Sequence, residues 1–191
     1  MSELAVTYNF KKNWTLRIFQ KTNIKDDCGV FTDAPFGVAA CFHAKHKLGS
    51  KNHEYTKLNE INLDDYAVAL PLYFCEQGDT QICLEALDSN SSSIQVGLFL
   101  VTEDEVIDEF GSCDEESIKM TKELVKFIIS SYNEVLKGRV YHFVLDYGKE
   151  VVDRMAGFIG DCEDLEKIGM LDYLPEEVRY LYATDRFKKV A

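Results

Sequence analysis

No stretch of the 191-residue chain stays apolar for the ~20 residues that a membrane-spanning helix requires. The opening MSELAVTYNFKKNW also lacks the uninterrupted apolar core of a signal peptide. Both absences lead us to expect a soluble, cytoplasmic protein. No Cys-x-x-Cys pair occurs among Cys28, Cys41, Cys75, Cys83, Cys113 and Cys162, and most of these stand beside apolar residues. Reduced interior thiols are therefore expected in place of a disulfide framework. There is no glycine-rich phosphate loop, no His-Glu-x-x-His, no paired-carboxylate spacing, no internal repeat and no linker. Bases are scarce, with 21 Lys and Arg against 33 Asp and Glu, for a formal net charge of -12. That shortage argues against nucleic acid as a direct ligand, because clustered cations carry phosphate binding. It favours long-range attraction to a basic partner.

What is present is core material. With 46% hydrophobic residues the chain is long enough to fold as a single domain over residues 1–191. Its organising stretch is Ser93 to Gly138. Ile94, Val96, Leu98 and Leu100 are apolar on one face and Phe99 and Val101 on the other, the pattern of a central strand covered on both sides. Thr102 with Glu105 forms a capping box and Gly111 a left-handed stop, so Glu103 to Phe110 reads as a short helix. Ser112 with Glu115 repeats the signal. Ile118, Val125, Ile128, Ile129, Tyr132, Val135 and Leu136 then keep helical spacing, giving a long amphipathic helix from Cys113 to Lys137.

Around that stretch, Leu4 to Phe10 and Trp14 to Gln20 read as an antiparallel pair, and Gly37 to His43 as a further strand. Asn23 to Phe36 and Ala44 to Tyr55 read as loops. Leu63 to Gln77 rises into a core strand in which Pro71 marks an edge or a bulge, and Thr80 to Leu87 returns after a turn at Gly78-Asp79. Asp88 to Ser93 is a polar loop. Val140 to Tyr147 and Glu150 to Ile159 form a hairpin. Asp161 to Ile168 carries the charge of a short helix, and Pro175 opens another through Leu181. The fold class expected is α+β: a mainly antiparallel sheet packed against one long amphipathic helix, with short C-terminal helices.

Several segments together resemble a family of short acidic proteins encoded by phages and plasmids, which carry no assigned activity. They are Leu16 to Gln20, Cys41-Phe42-His43 followed by Leu48-Gly49, Leu70 to Tyr73, Ser93 to Gly97, Tyr132 to Tyr141 and Asp153 to Gly160, in the family's order and spread over most of the chain. The resemblance implies a mobile-element accessory protein. Where that family has Asp-Ser-Cys-Trp-Gly-Phe this chain reads Asp153 to Phe158 without the cysteine or tryptophan, so no catalytic role at those positions carries over.

Glu103, Asp104, Glu105, Asp108, Glu109, Asp114, Glu115 and Glu116 place eight carboxylates in fourteen residues with no base among them. They suit a partner-binding surface, a nucleic-acid mimic or a face for the basic cleft of a host defence enzyme. Acids at helix starts are also favoured by the macrodipole alone, and charge runs are usually solvated faces. Cys41, His43, His46 and His53 offer zinc-type donors at irregular spacing, and no second cluster closes a site. Cys41 and Cys75 are the candidate nucleophiles of the alternative reading, a small cysteine- or metal-dependent enzyme acting on a nucleotide or protein adduct. The favoured reading is a stoichiometric inhibitor or decoy with no cofactor. Its partner is a host protein with a basic surface, with no direct nucleic acid and no membrane, and a homodimer is left open.

Overall fold

The computed structural model describes residues 2–22, 36–43, 48–50, 54–75, 81–86 and 93–190. Most of the loops expected at 23–36, 44–55 and 88–93, the turn at Gly78-Asp79, and Cys28, His46 and His53 fall outside these. The chain divides into two compact units, one built from Met1–Ile24 with Gly138–Ala191, the other from Lys25–Lys137. Both are antiparallel sheets with helical cover, so the fold is α+β. Among the described residues no helix is long and apolar enough to cross a membrane.

The terminal unit holds β1 (Ser2–Phe10), β2 (Trp14–Lys21), β7 (Val140–Tyr147), β8 (Glu150–Ile159) and β9 (Phe187–Val190), ordered β8-β7-β2-β1-β9. The central unit holds β3 (Val38–Cys41), β4 (Val68–Cys75), β5 (Gln81–Cys83) and β6 (Ser93–Val101), ordered β3-β6-β4-β5. The expected single sheet under one long helix is thus two sheets, each with its own cover. Strand alternation tells which face is buried and nothing about which strand lies alongside. Here β2 pairs with β7 in the register Trp14↔Tyr147, a partnership that spans most of the chain.

In the terminal unit Lys12 and Asn13 adopt φ of 62° and 66°, left-handed values that reverse the chain between β1 and β2. Tyr8, Leu16, Ile18, Phe143 and Leu145 face inward. They are covered by Leu165, Met170, Val178 and Leu181, the last two from α3 (Glu176–Ala183). The segment expected to be helical at 161–168 is a run of turns followed by a single 3-10 turn at Met170–Tyr173. Gly169, with φ +70, breaks any longer helix there. Lys188 and Lys189 lie on β9, antiparallel to β1. On the sheet's other face Arg17 reaches diagonally across β2 and β7 and donates twice to Asp146, at 2.8 and 3.0 Å.

In the central unit β6 lies between β3 and β4. One face of the sheet, with Leu72, Phe74, Val96 and Phe99, packs on Val125, Ile129 and Tyr132 of α2 (Glu115–Leu136). The other face, with Ala40 and Leu100, is covered by Ile61 and Tyr66. This two-sided burial holds from Val96 to Val101. The extra residue opposite Leu72 and Tyr73 turns Val96 to the α2 face with Phe99 and Val101, away from Leu98 and Leu100 with which it was expected, and Ile94 is 60% exposed. Gly97 lets β3 approach, since a Cβ there would sit 1.9 Å from the Ala40 carbonyl oxygen. Pro71 sits beyond the three-residue span of β5, where β4 has only β6 beside it, and a bulge follows between Leu72 and Tyr73. Asn133 of α2 closes the free edge: its side chain accepts from Ile82 N at 2.7 Å and donates to Ile82 O at 2.8 Å, as a neighbouring strand would.

Candidate functional site: an acidic helix pair

The charge of the chain is not shared between the units. Residues 25–137 hold 21 acids against 9 bases, while residues 1–24 and 138–191 hold 12 of each. The formal net charge of -12 therefore belongs wholly to the central unit, and its densest part is the helix pair α1 (Glu103–Phe110) and α2.

The local sequence builds this pair as expected, with one shift. Thr102 Oγ1 accepts from Glu105 N at 3.3 Å and Glu105 Oε2 accepts from Thr102 N at 2.8 Å, completing the capping box. Gly111 at φ +82 ends α1. The residue that caps α2 is Asp114 and not Ser112: its Oδ1 accepts from Ser117 N at 2.9 Å, while Ser112 Oγ donates to its Oδ2 at 3.0 Å. A carboxylate competes better than a hydroxyl for a helix-start N–H, because the bond is charge-assisted.

Seven of the eight carboxylates are exposed, Glu105 being half-buried, and none of the eight forms an ion pair among the described residues. They divide by cause. Glu105 and Asp114 are capping groups; Glu105 also accepts from Gly37 N at 3.2 Å. The hydrogen bond from Ser117 N, then those from the Ser112 and Ser117 hydroxyls, holds the Asp114 carboxyl below its ordinary range. Glu103, Asp104, Glu115 and Glu116 occupy first turns, where the macrodipole favours them. Asp108 and Glu109 have neither explanation. They lie at the C-terminal end of α1, where the dipole disfavours anions, and that last turn contains no base.

Two contacts bring the acids of the two helices together. The Cys113 thiol is pushed up by partial burial and by the carboxylates of Glu103 and Asp114, so the two helix starts share one field. Further along, Glu109 and Glu116 line a shallow groove of about 410 Å³ floored by Phe110, Met120 and Leu124. Met120 and Phe127 lie outside the apolar stripe read from the sequence, and they are 47% and 69% exposed. The signal was there: Met120, Leu124 and Phe127 repeat at i, i+4 and i+7, a second stripe beside the core-facing one.

Among the described residues, which exclude His46 and His53, the other candidates do not assemble a site. Cys41 ends β3 and burial pushes its thiol up to about 12. The His43 ring lies 4.9 Å from the Phe74 ring. Cys75 is raised to about 11 by burial and then by its Cys83 neighbour, with the two sulfurs 3.8 Å apart. A nucleophile or a metal ligand needs the opposite shift. Among the described residues no group of three His, Cys, Asp or Glu is placed to hold a metal ion, and all five described cysteines are free thiols. Comparison with protein-family models, curated proteins and solved structures finds no match to this chain.

Proposed function

We propose that this chain is an interaction protein of a phage or other mobile element that acts stoichiometrically on a host protein. The acidic α1–α2 face meets a cationic surface, such as the cleft of a nucleic-acid-binding defence enzyme, as an inhibitor or decoy. The observation that carries this reading is the pair Asp108 and Glu109, exposed and without ion partners among the described residues, at the helix end that disfavours them. The helix dipole does not account for charge at that end, whereas a cationic partner would. The confinement of the whole net charge to one unit supports the same reading, as a single-signed surface attracts an opposite one over a Debye length of about 8 Å. The resemblance of several segments to acidic phage and plasmid proteins supports the setting.

The test is quantitative co-purification from host cells of wild type against the double variant Asp108→Lys, Glu109→Lys. A captured partner should fall by about tenfold or more in the variant, consistent with the cost of like-charge juxtaposition. Inhibition of that partner should saturate near one to one. Equal recovery with both proteins, or turnover at far lower ratios, would sink the proposal.

A further inference from the structure

The acidic face is not wholly polar, and its apolar part has a shape. Met120, Leu124 and Phe127 run along one shoulder of α2, covering about 10.5 Å at ~1.5 Å per residue. Phe110 closes the groove from α1, and exposed Ile107 stands one turn before it. Glu109 and Glu116 stand on the rim without ion partners among the described residues. Glu123 is engaged by Lys126 at 2.8 Å, and among the described residues lining the groove Lys119 is the only base. Resting on the function proposed above, we infer that this groove, continued by exposed Phe127 one turn beyond its lining, seats one amphipathic, cationic helix of the partner, its apolar anchors on Met120, Leu124 and Phe127 and its Lys or Arg residues against Glu109 and Glu116.

Three features select this occupant. A helix whose anchors fall at i, i+3 or i+4, and i+7 presents them over the same two turns as the α2 stripe, the usual match of a helix to a groove. The acidic rim is complementary to bases that flank such anchors. A second copy docked by the same face would set Glu109 and Glu116 against their own kind in a unit of net charge -12. An anionic bilayer or a nucleic acid would meet the same repulsion.

The probe is a fluorescent synthetic peptide of about 18 residues, with leucines at i, i+3, i+4 and i+7 and lysines elsewhere, read by anisotropy against the full chain. A scrambled peptide of equal composition and a glutamate-for-lysine peptide are its controls. Expected is saturable one-to-one binding, about tenfold tighter than for the scrambled peptide, with NMR shift changes confined to the region of residues 107–127. The double variant Met120→Ser, Phe127→Ser should lose about tenfold while melting close to wild type, since the two side chains are already 47% and 69% exposed. If that variant binds unchanged while Asp108→Lys, Glu109→Lys does not, the groove inference falls and the acidic face stands. If the charge variant binds unchanged while the apolar one does not, the acidic reading falls and takes the cationic partner with it. A concentration-dependent dimer in sedimentation, abolished by Phe127→Ser, would give the groove to a second copy and overturn the inference.

Discussion

The two units answer the same structural problem, an antiparallel sheet needing cover, but they use charge in opposite ways. In the neutral terminal unit ionic groups are turned to the fold itself: Arg17 grips Asp146, Lys12 meets Glu177 at 2.6 Å and Lys189 meets Glu163 at 3.0 Å. The central unit also has ion pairs, Lys57 with Glu60, Lys126 with Glu123 and Lys137 with Glu134, but the carboxylates of α1 and of the start of α2 have no ion partner among the described residues, and all of them except Glu105 are exposed. Exposed pairs are worth only about 0–1 kcal/mol, so the difference lies less in stability than in what each surface presents to others. A unit that neutralises itself is electrostatically quiet at a distance. One that does not is an attractor.

The largest expected effect comes from breaking the central unit alone. In Gly97→Ala the new Cβ meets the backbone of β3, which cannot rotate away as a side chain does, so we expect a loss of about 3 kcal/mol. Trp14, the chain's single tryptophan, lies in the terminal unit, so its emission reports that unit while far-UV CD is dominated by α2. In a urea titration the CD transition should move to lower denaturant and the Trp14 transition should stay. If both move equally, the units unfold as one cooperative domain and the comparison is between two faces of a single body. The converse variant, Arg17→Met, leaves Asp146 largely buried and without its bidentate partner, at a cost of about 2 kcal/mol read at Trp14. Arg17→Lys should recover only part of this, because an ammonium cannot donate in a fork.

What the sequence disclosed follows the range of the forces involved. The bounds of α1 and its capping box and the hairpin of β7 and β8 are set within a few residues, and each was legible. The burial of β6 was legible only beyond its bulge, because the alternation places Val96 on the wrong face. The pairing of β2 with β7 and of β9 with β1 joins distant segments, and no local pattern announces it. No strand was expected at Phe187 to Val190, which becomes one only beside β1. At the candidate site the eight acids were visible, but their division was not. Separating cap from first turn from last turn required knowing that Asp114 and not Ser112 starts α2, and that Asp108 and Glu109 end α1.

Acid should sharpen the comparison from a different side. The folded-state carboxyl of Asp114 is held below its ordinary range, chiefly by the Ser117 amide. A depressed carboxylate contributes stability that is fully present above the unfolded value and is lost as pH falls from there through the folded one, so the α2 cap should weaken below about pH 4. Asp114→Asn keeps an oxygen for Ser117 N without the charge. Its CD-monitored melting temperature should therefore fall less steeply between neutral pH and about pH 3 than that of wild type. Identical slopes would show that the cap does not depend on ionisation.

The smallest effect is the one whose sign matters most. Asp108→Lys with Glu109→Lys replaces two anions at the carbonyl end of α1 by cations, which that end favours. It also removes like charge from a unit that carries 21 acids and 9 bases. The exposed end of a short helix gives a modest gain, so we expect about 0.5 kcal/mol of added stability, roughly 1–2 °C in Tm. The same variant is the one expected to lose its partner. A protein that becomes more stable as it stops binding has acids there for the binding, whereas one that loses stability has them for the fold. A fall in Tm would mean that Asp108 or Glu109 supports the helix pair, and the functional reading of the acidic face would lose its main support.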